Sequence, residues 1–193
     1  MKNPNKTIIS RRTRPAKGPL STEIIIMTAL QLLNKEGFKG LSMRKVAVAL
    51  DTGPASLYVY VENLNELSSF VLDRGLAHVS LPNQEDGDWK NRLYKLLESY
   101  LFVLYRSPGL AELAQTITPK GPHSLLITET IIGLLDEVGL DPKETAWAAE
   151  LILLYATSVA FKQSYHDYDD KKQFKWGLDV MLNGMIQIPQ SLS

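Results

Sequence analysis

Residues 51–63 read DTGPASLYVYVEN, and their side chains suit recognition better than bond making. Leu57-Tyr58-Val59-Tyr60-Val61 is β-branched and aromatic, which is strand composition. Yet it is short, and helical patterns flank it on both sides. Wound as a helix it divides into two sides. Leu57 and Val61 share one side with Pro54; Ala55, Ser56, Val59 and Tyr60 fall on the other, with Tyr58 at the flank. A major groove accepts one helix and offers base edges and thymine methyls. Small Ala55 and Ser56 permit close approach, Val59 can meet a methyl, and the tyrosine hydroxyls can reach phosphates. Taken singly, Tyr58 or Tyr60 reads as cover for a core edge. The arrangement as a whole reads as a surface for duplex DNA.

No other residues stand at spacings that covalent or metal chemistry needs. His78, His123 and His166 are far apart, with no H-x-x-x-H pair. Asp167, Asp169 and Asp170 resemble a fragment of a calcium loop without its glycine and closing glutamate, and read as a solvated loop. Asp136, Glu137 and Asp141 read as helix-end surface charges. There is no nucleophile elbow, phosphate loop or zinc motif. An enzyme is therefore not expected, nor a metal or cofactor. The chain has no cysteine, which excludes disulfides and thiolate ligands and fits a reducing cytoplasm. The N-terminus lacks the apolar core of a signal peptide. The longest apolar stretch, residues 146–161, is broken by Glu150 and too short for a bilayer. A cytoplasmic protein without a membrane partner is expected.

The elements that would position the recognition stretch are helical, and the expected fold class is all-α. Ser21 caps a first helix in which Ile25, Ala29, Leu32 and Leu33 repeat at helical spacing, and Gly37 and Gly40 end it. Ser42 caps a second, residues 43–50. Asp51-Thr52-Gly53 makes a tight turn, and Pro54 sits where proline is welcome, in the first turn of a helix running to about Tyr60. Asn63 caps a longer helix, residues 64–79. Three short helices joined by tight turns outline a helix-turn-helix. The polar loop SLPNQEDGD, residues 80–88, marks the expected domain boundary. Further helical patterns cover 89–106, 108–117, 122–138, 142–165 and 171–188. The expected organisation is a flexible basic arm over 1–19, a helix-turn-helix domain with its linking helix over 20–79, and a helical effector-binding and dimerisation domain over 80–193.

Net charge is zero, but it is unevenly spread. Lys2, Lys6, Arg11, Arg12, Arg14 and Lys17 face no acid in the first twenty residues, whereas residues 75–193 hold ten bases and fifteen acids. A basic N-terminal arm either binds nucleic acid or solubilises.

Residues 20–75 resemble the DNA-binding domain of the TetR family of bacterial transcriptional regulators. The resemblance is carried by LNKEGFKGLSMRKVAVALDTGPASLYVYVENLNEL. Residues 88–161 are similar, more by pattern than identity, to the regulatory domain of the tetracycline repressor group, through Asp88-Trp89, SPGLAEL, LLDEVGLDPKETAWAA and LILLYATSVAF. The resemblance implies a homodimer on a pseudo-palindromic operator, with two recognition helices in successive major grooves about 34–36 Å apart. It implies that Arg44 reads a guanine and that Tyr58 contacts a phosphate. It implies that Ser56, Val59 and Tyr60 lie at outward recognition-helix positions; Met43, Pro54 and Ala55 are expected at the duplex with them, and Arg11, Arg12 and Arg14 are expected there from the charge of the arm. Two positions depart from the family pattern. Leu64 stands where a phosphate-binding lysine is common, and Met43 replaces a small polar residue. The basic arm is the expected compensation.

The same resemblance implies a small effector in the second domain that spreads the two DNA-reading heads. Metal-chelated tetracycline is not expected, because positions near Leu96, Leu113 and Ile131 have become apolar. The expected lining is Tyr100, Leu104, Leu113, Gln115, Thr116, His123, Ile127, Trp147, Leu151 and Tyr155, which suits an apolar or aromatic ligand with a few hydrogen bonds. Each of these, taken singly, also reads as ordinary core. Ala148, Ala149, Ala156, Ser158 and Ala160, with Leu178, Met181, Leu182 and Met185, form an apolar seam across the last two helices. That seam serves either dimerisation or the subunit's own core. A regulator or nucleoid-type protein without an effector is the alternative reading.

Overall fold

The computed structural model describes residues 19–165 and 171–187, and over these the chain is helical without a strand. The helices are α1 (Thr22–Glu36), α2 (Met43–Ala49), α3 (Pro54–Leu57), α4 (Leu64–Leu76), α5 (Trp89–Tyr105), α6 (Pro108–Thr116), α7 (Pro122–Asp136), α8 (Pro142–Tyr165) and α9 (Lys171–Gln187). Local chemistry sets most starts. The side chains of Ser21, Ser42, Asn63 and Asp88 accept the backbone N–H of Ile24, Lys45, Glu66 and Asn91 at 2.8–3.3 Å. Pro54, Pro108 and Pro122 open their helices, where a missing N–H costs nothing.

The recognition stretch is shorter as a helix than expected. α3 is one turn, and Tyr58 is its C-cap. The N–H groups of Tyr60 and Val61 both reach the Leu57 carbonyl, so residues 58–60 close as turns rather than continue the helix. The strand-like composition is overridden because Leu57 and Val61 are buried and hold both ends of the turn against the core. α4 likewise ends at Leu76, not at Val79. The turn between α2 and α3 requires Asp51 at φ 48°, a left-handed conformation.

The core of α1 to α4 is made by Ile25, Ala29, Leu33, Val46, Ala47, Leu57, Leu67 and Val71. α1 and α4 continue onto α6, so the groups share a wall. The fit is close. A Cβ on Gly109 would lie 2.9 Å from the Leu33 carbonyl, and one on Gly75 would lie 2.6 Å from a Leu110 methyl. Ser107 adds a hydroxyl bond to Asn34 Oδ1 at 2.5 Å.

α8 runs through the remaining helices and packs on α5, α6, α7 and α9. Here the seam is internal. Ala148, Ala149, Ala156 and Ala160 are buried within the subunit, as are Leu178 and Leu182, with Met181 and Met185 half-buried against the same core. Only Ser158 of the expected set is exposed. The reason is the close approach of α9 to α8. The Tyr155 ring stacks on Phe174 at 5.5 Å, and its hydroxyl stands where a side chain on Gly177 would be. The residues of α8 and α9 that remain exposed are different apolar ones: Trp147, Leu151, Leu154, Trp176, Val180 and Ile186. Among the described residues no helix is long and apolar enough to cross a membrane.

Candidate nucleic-acid interface and effector cavity

α2 and α3 pack against each other and leave a set of exposed side chains. Arg44 is exposed on the first turn of α2. Pro54 and Ala55 are exposed on α3, and Ser56 is half-buried. The turn after α3 presents Tyr58 at 54%, Val59 at 80% and Tyr60 at 37% exposure. An apolar side chain as open as Val59 contributes nothing to the core. Met43 is a correction: at the first position of α2 it is buried, turned into the core by the extended backbone of Ser42. Pro54, which the helical wheel puts on the packed side, is exposed instead. Val48, 70% exposed, is a residue that sequence reasoning misses. The signal was its i, i+4 spacing from Arg44, which puts both on one helix face. Lys45 is held by Glu36 at 2.7 Å, which keeps the Glu36 carboxyl below its usual pKa. Leu64 is partly exposed at the start of α4. Arg11, Arg12 and Arg14 lie outside the described residues, as do His166, Asp167, Asp169 and Asp170.

A cavity of about 870 Å³ opens among α4, α5, α6, α7 and α8. Tyr100 and Gln115 line it, with Leu72 from α4, Thr128 and Ile132 from α7, and Ala149, Glu150, Leu153 and Thr157 from α8. The connection between α6 and α7 supplies Ile117, Thr118, Pro119 and Gly121. Tyr100 is buried and shares a 2.8 Å hydrogen bond with Thr157 Oγ1; burial raises its pKa, so it stays a phenol.

The other expected lining residues are elsewhere. Leu104, Leu113 and Ile127 are sealed in the core, as are Leu96 and Ile131. Each falls on the inner stripe of its helix. Thr116 bonds back to the Leu113 carbonyl. Trp147 and Leu151 are exposed beside the cavity-lining positions of α8 but do not line the cavity, and Tyr155 is turned to α9. Their one- or two-residue offset from Ala146, Glu150 and Leu153 accounts for the difference, because adjacent helix positions face about 100° apart.

His123 is engaged as well. Its Nδ1 meets Asp73 Oδ2 at 2.8 Å, and Asp73 Oδ1 accepts the Ser124 N–H at 2.8 Å. Burial of Asp73 works to raise its pKa, but the Ser124 and His123 bonds outweigh it and the net shift is downward. One turn earlier on α4, Ser69 donates its hydroxyl to the Thr118 carbonyl at 2.5 Å. A Cβ on Gly121 would fall 2.3 Å from the Asp73 carboxylate, so only glycine fits there. The cavity-lining connection is thus fastened to α4, the helix that follows the recognition turn.

Comparison with known proteins gives these features a context. Residues 25–63 match the family described as bacterial regulatory proteins, tetR family, and residues 81–173 match the tetracyclin repressor-like C-terminal domain. The HTH-type transcriptional repressor DrrR1 of Streptomyces coeruleorubidus is 32% identical over 167 residues, which is 82% of this chain and 60% of DrrR1. The chain therefore spans about three-fifths of that relative. Two solved structures from Streptomyces coelicolor superpose over nearly their whole length. SCO7704 is 34% identical with a TM-score of 0.75, covering 90% of this chain and 98% of its own. ActR in complex with actinorhodin is 27% identical with a TM-score of 0.79, covering 88% and 98%. With both parts of the chain matched in order and the helices superposing throughout, this chain belongs to the tetR family of bacterial regulatory proteins.

Proposed function

We propose that this protein is a sequence-specific DNA-binding transcriptional regulator, acting as a homodimer and released from its operator by a small effector. The observation that carries the reading is the exposed set Arg44, Val48, Tyr58, Val59 and Tyr60 on a helix-turn-helix. An arginine able to pair bidentately with guanine shares a helix face with Val48, and exposed Val48 and Val59 are both open to meet thymine methyls. Tyr58 and Tyr60 supply hydroxyls for phosphates. The basic arm adds charge that the Leu64 position does not.

Trp147 and Leu151 of α8 with Trp176 and Val180 of α9 serve as the dimer face, and Leu154, which also lines the cavity, stands at its border. Exposed apolar residues of this size, gathered on two helices, mark an association surface. The cavity serves as the effector site, in line with the actinorhodin-bound ActR structure. The fastening of residues 118–124 to Ser69 and Asp73 gives the effector a route to α4. An effector that prefers the dimer with its heads spread needs a coupling of only about 1–3 kcal/mol to change operator occupancy 5–150-fold.

The test is a gel shift on DNA from upstream of the protein's own gene, against random duplex. Wild type should retard the upstream fragment selectively at physiological salt; Arg44→Ala and Tyr60→Ala should both lose that selectivity. Equal affinity for random duplex would favour a nucleoid-type role instead.

A further inference from the structure

The charge of the cavity is one-sided. Its lining contains a single side chain that is charged at neutral pH, Glu150, and no lysine, arginine or histidine. Glu150 lines the cavity from α8 with Ala146, Ala149, Leu153 and Leu154, and its side chain is open to solvent. No hydrogen bond or ion pair to it occurs among the described residues. Two lysines close in sequence to lining residues are placed elsewhere. Lys143 lies over the Trp147 ring at 4.7 Å, and Lys120 does not line the cavity although its neighbours Pro119 and Gly121 do. Asp73, behind Gly121, is a second carboxylate, already satisfied by Ser124 and His123. Leucines and isoleucines make up much of the remaining wall.

We propose that Glu150 makes this a site for organic cations: drug-sized molecules with an apolar, ring-bearing body and one amine or quaternary nitrogen. The proposal rests on the effector-cavity reading above. Glu150 is exposed to solvent, and an apolar-bodied cation seated in the cavity covers its carboxylate, so that the pair attracts more strongly than it does in open water. An anionic ligand meets the same field with opposite sign and finds no base to pair with. A neutral ligand gains only the apolar contacts. The volume, about 870 Å³, is that of a drug-sized pocket.

Three fluorescent probes separate these cases: berberine as the cation, N-phenyl-1-naphthylamine as the neutral molecule, and 1-anilinonaphthalene-8-sulfonate as its anionic counterpart. Each is titrated into the full chain and into Glu150→Gln, an isosteric change at an exposed position that leaves the fold intact. Berberine should bind wild type tightest and lose about tenfold or more in the variant. N-phenyl-1-naphthylamine should bind both equally, and the sulfonate should bind wild type weakest. Ala146→Trp, which puts an indole against the cavity wall beside Glu150, should weaken all three probes. The charge selection is overturned if the sulfonate binds wild type as well as berberine does, or if Glu150→Gln leaves berberine unchanged. Binding of no probe to wild type, or binding that Ala146→Trp leaves unchanged, overturns the effector-cavity reading and the charge selection with it.

Discussion

His123 Nδ1 lies 2.8 Å from Asp73 Oδ2, joining the start of α7 to the last turn of α4 across fifty residues of sequence. Asp73 is 5% exposed and also accepts the Ser124 N–H. The pair fixes the cavity wall to the helix that leads back to the recognition turn.

Asp73→Asn should destabilise the fold by about 1–3 kcal/mol at pH 7, since a buried, charge-assisted acceptor is replaced by an amide that cannot serve all its donors. The folded-state pKa of Asp73 is depressed, so its ionised form contributes stability above the unfolded value of about 3.9. That contribution is lost as pH falls through the folded value. Urea midpoints of wild type and variant should differ most at pH 5–7 and converge below about pH 4. A constant gap down to pH 3 would contradict this.

Val48→Ala and Val59→Ala should leave stability within about 0.5 kcal/mol, because both side chains are exposed. Both should nonetheless weaken operator binding, measured by anisotropy on a labelled upstream duplex. Arg44→Ala should cost about 1–3 kcal/mol of discrimination between operator and random duplex. Weaker binding to both duplexes alike would make Arg44 a phosphate ligand instead.

Deleting residues 1–18 should flatten the dependence of log affinity on log salt by about 0.9 for each phosphate that the arm neutralises. An unchanged slope would remove the arm from the interface.

Leu154→Arg should leave the monomer folded, since Leu154 is 61% exposed. Light scattering should then report a mass near 21.6 kDa, with operator binding abolished because single half-sites bind weakly. A variant that stays dimeric would move the interface away from α8.

Asp51→Val should destabilise the helix-turn-helix by about 1 kcal/mol or more, because a β-branched residue resists a φ of 48°. A thermal melt that matches wild type would contradict this.

Much of this was legible because it is local. A serine or asparagine three residues before an orphan N–H, or a proline in a first turn, announces a helix start from sequence alone, and Ser21, Ser42, Asn63 and Pro54 all do so. The length of α3 was not legible. It depends on Leu57 and Val61 anchoring into a core built by other helices. Nor was the phase of α8. Alanine and leucine occur all round it, so no polar face tells Leu151 from Ile152, and the expected lining slipped by a residue or two. Asp73 and His123 carry no shared pattern, and only the tertiary fold brings them together.

The double duty of residues 117–124 limits how this regulator can be retuned. Changes there that admit a different inducer would also disturb the hold on α4, so they would bring leaky or locked switching with them. Positions across the chamber, such as Ala146 and Glu150, touch no part of that fastening. A search for variants with new chemical sensitivity but an undisturbed resting state should begin on that far wall.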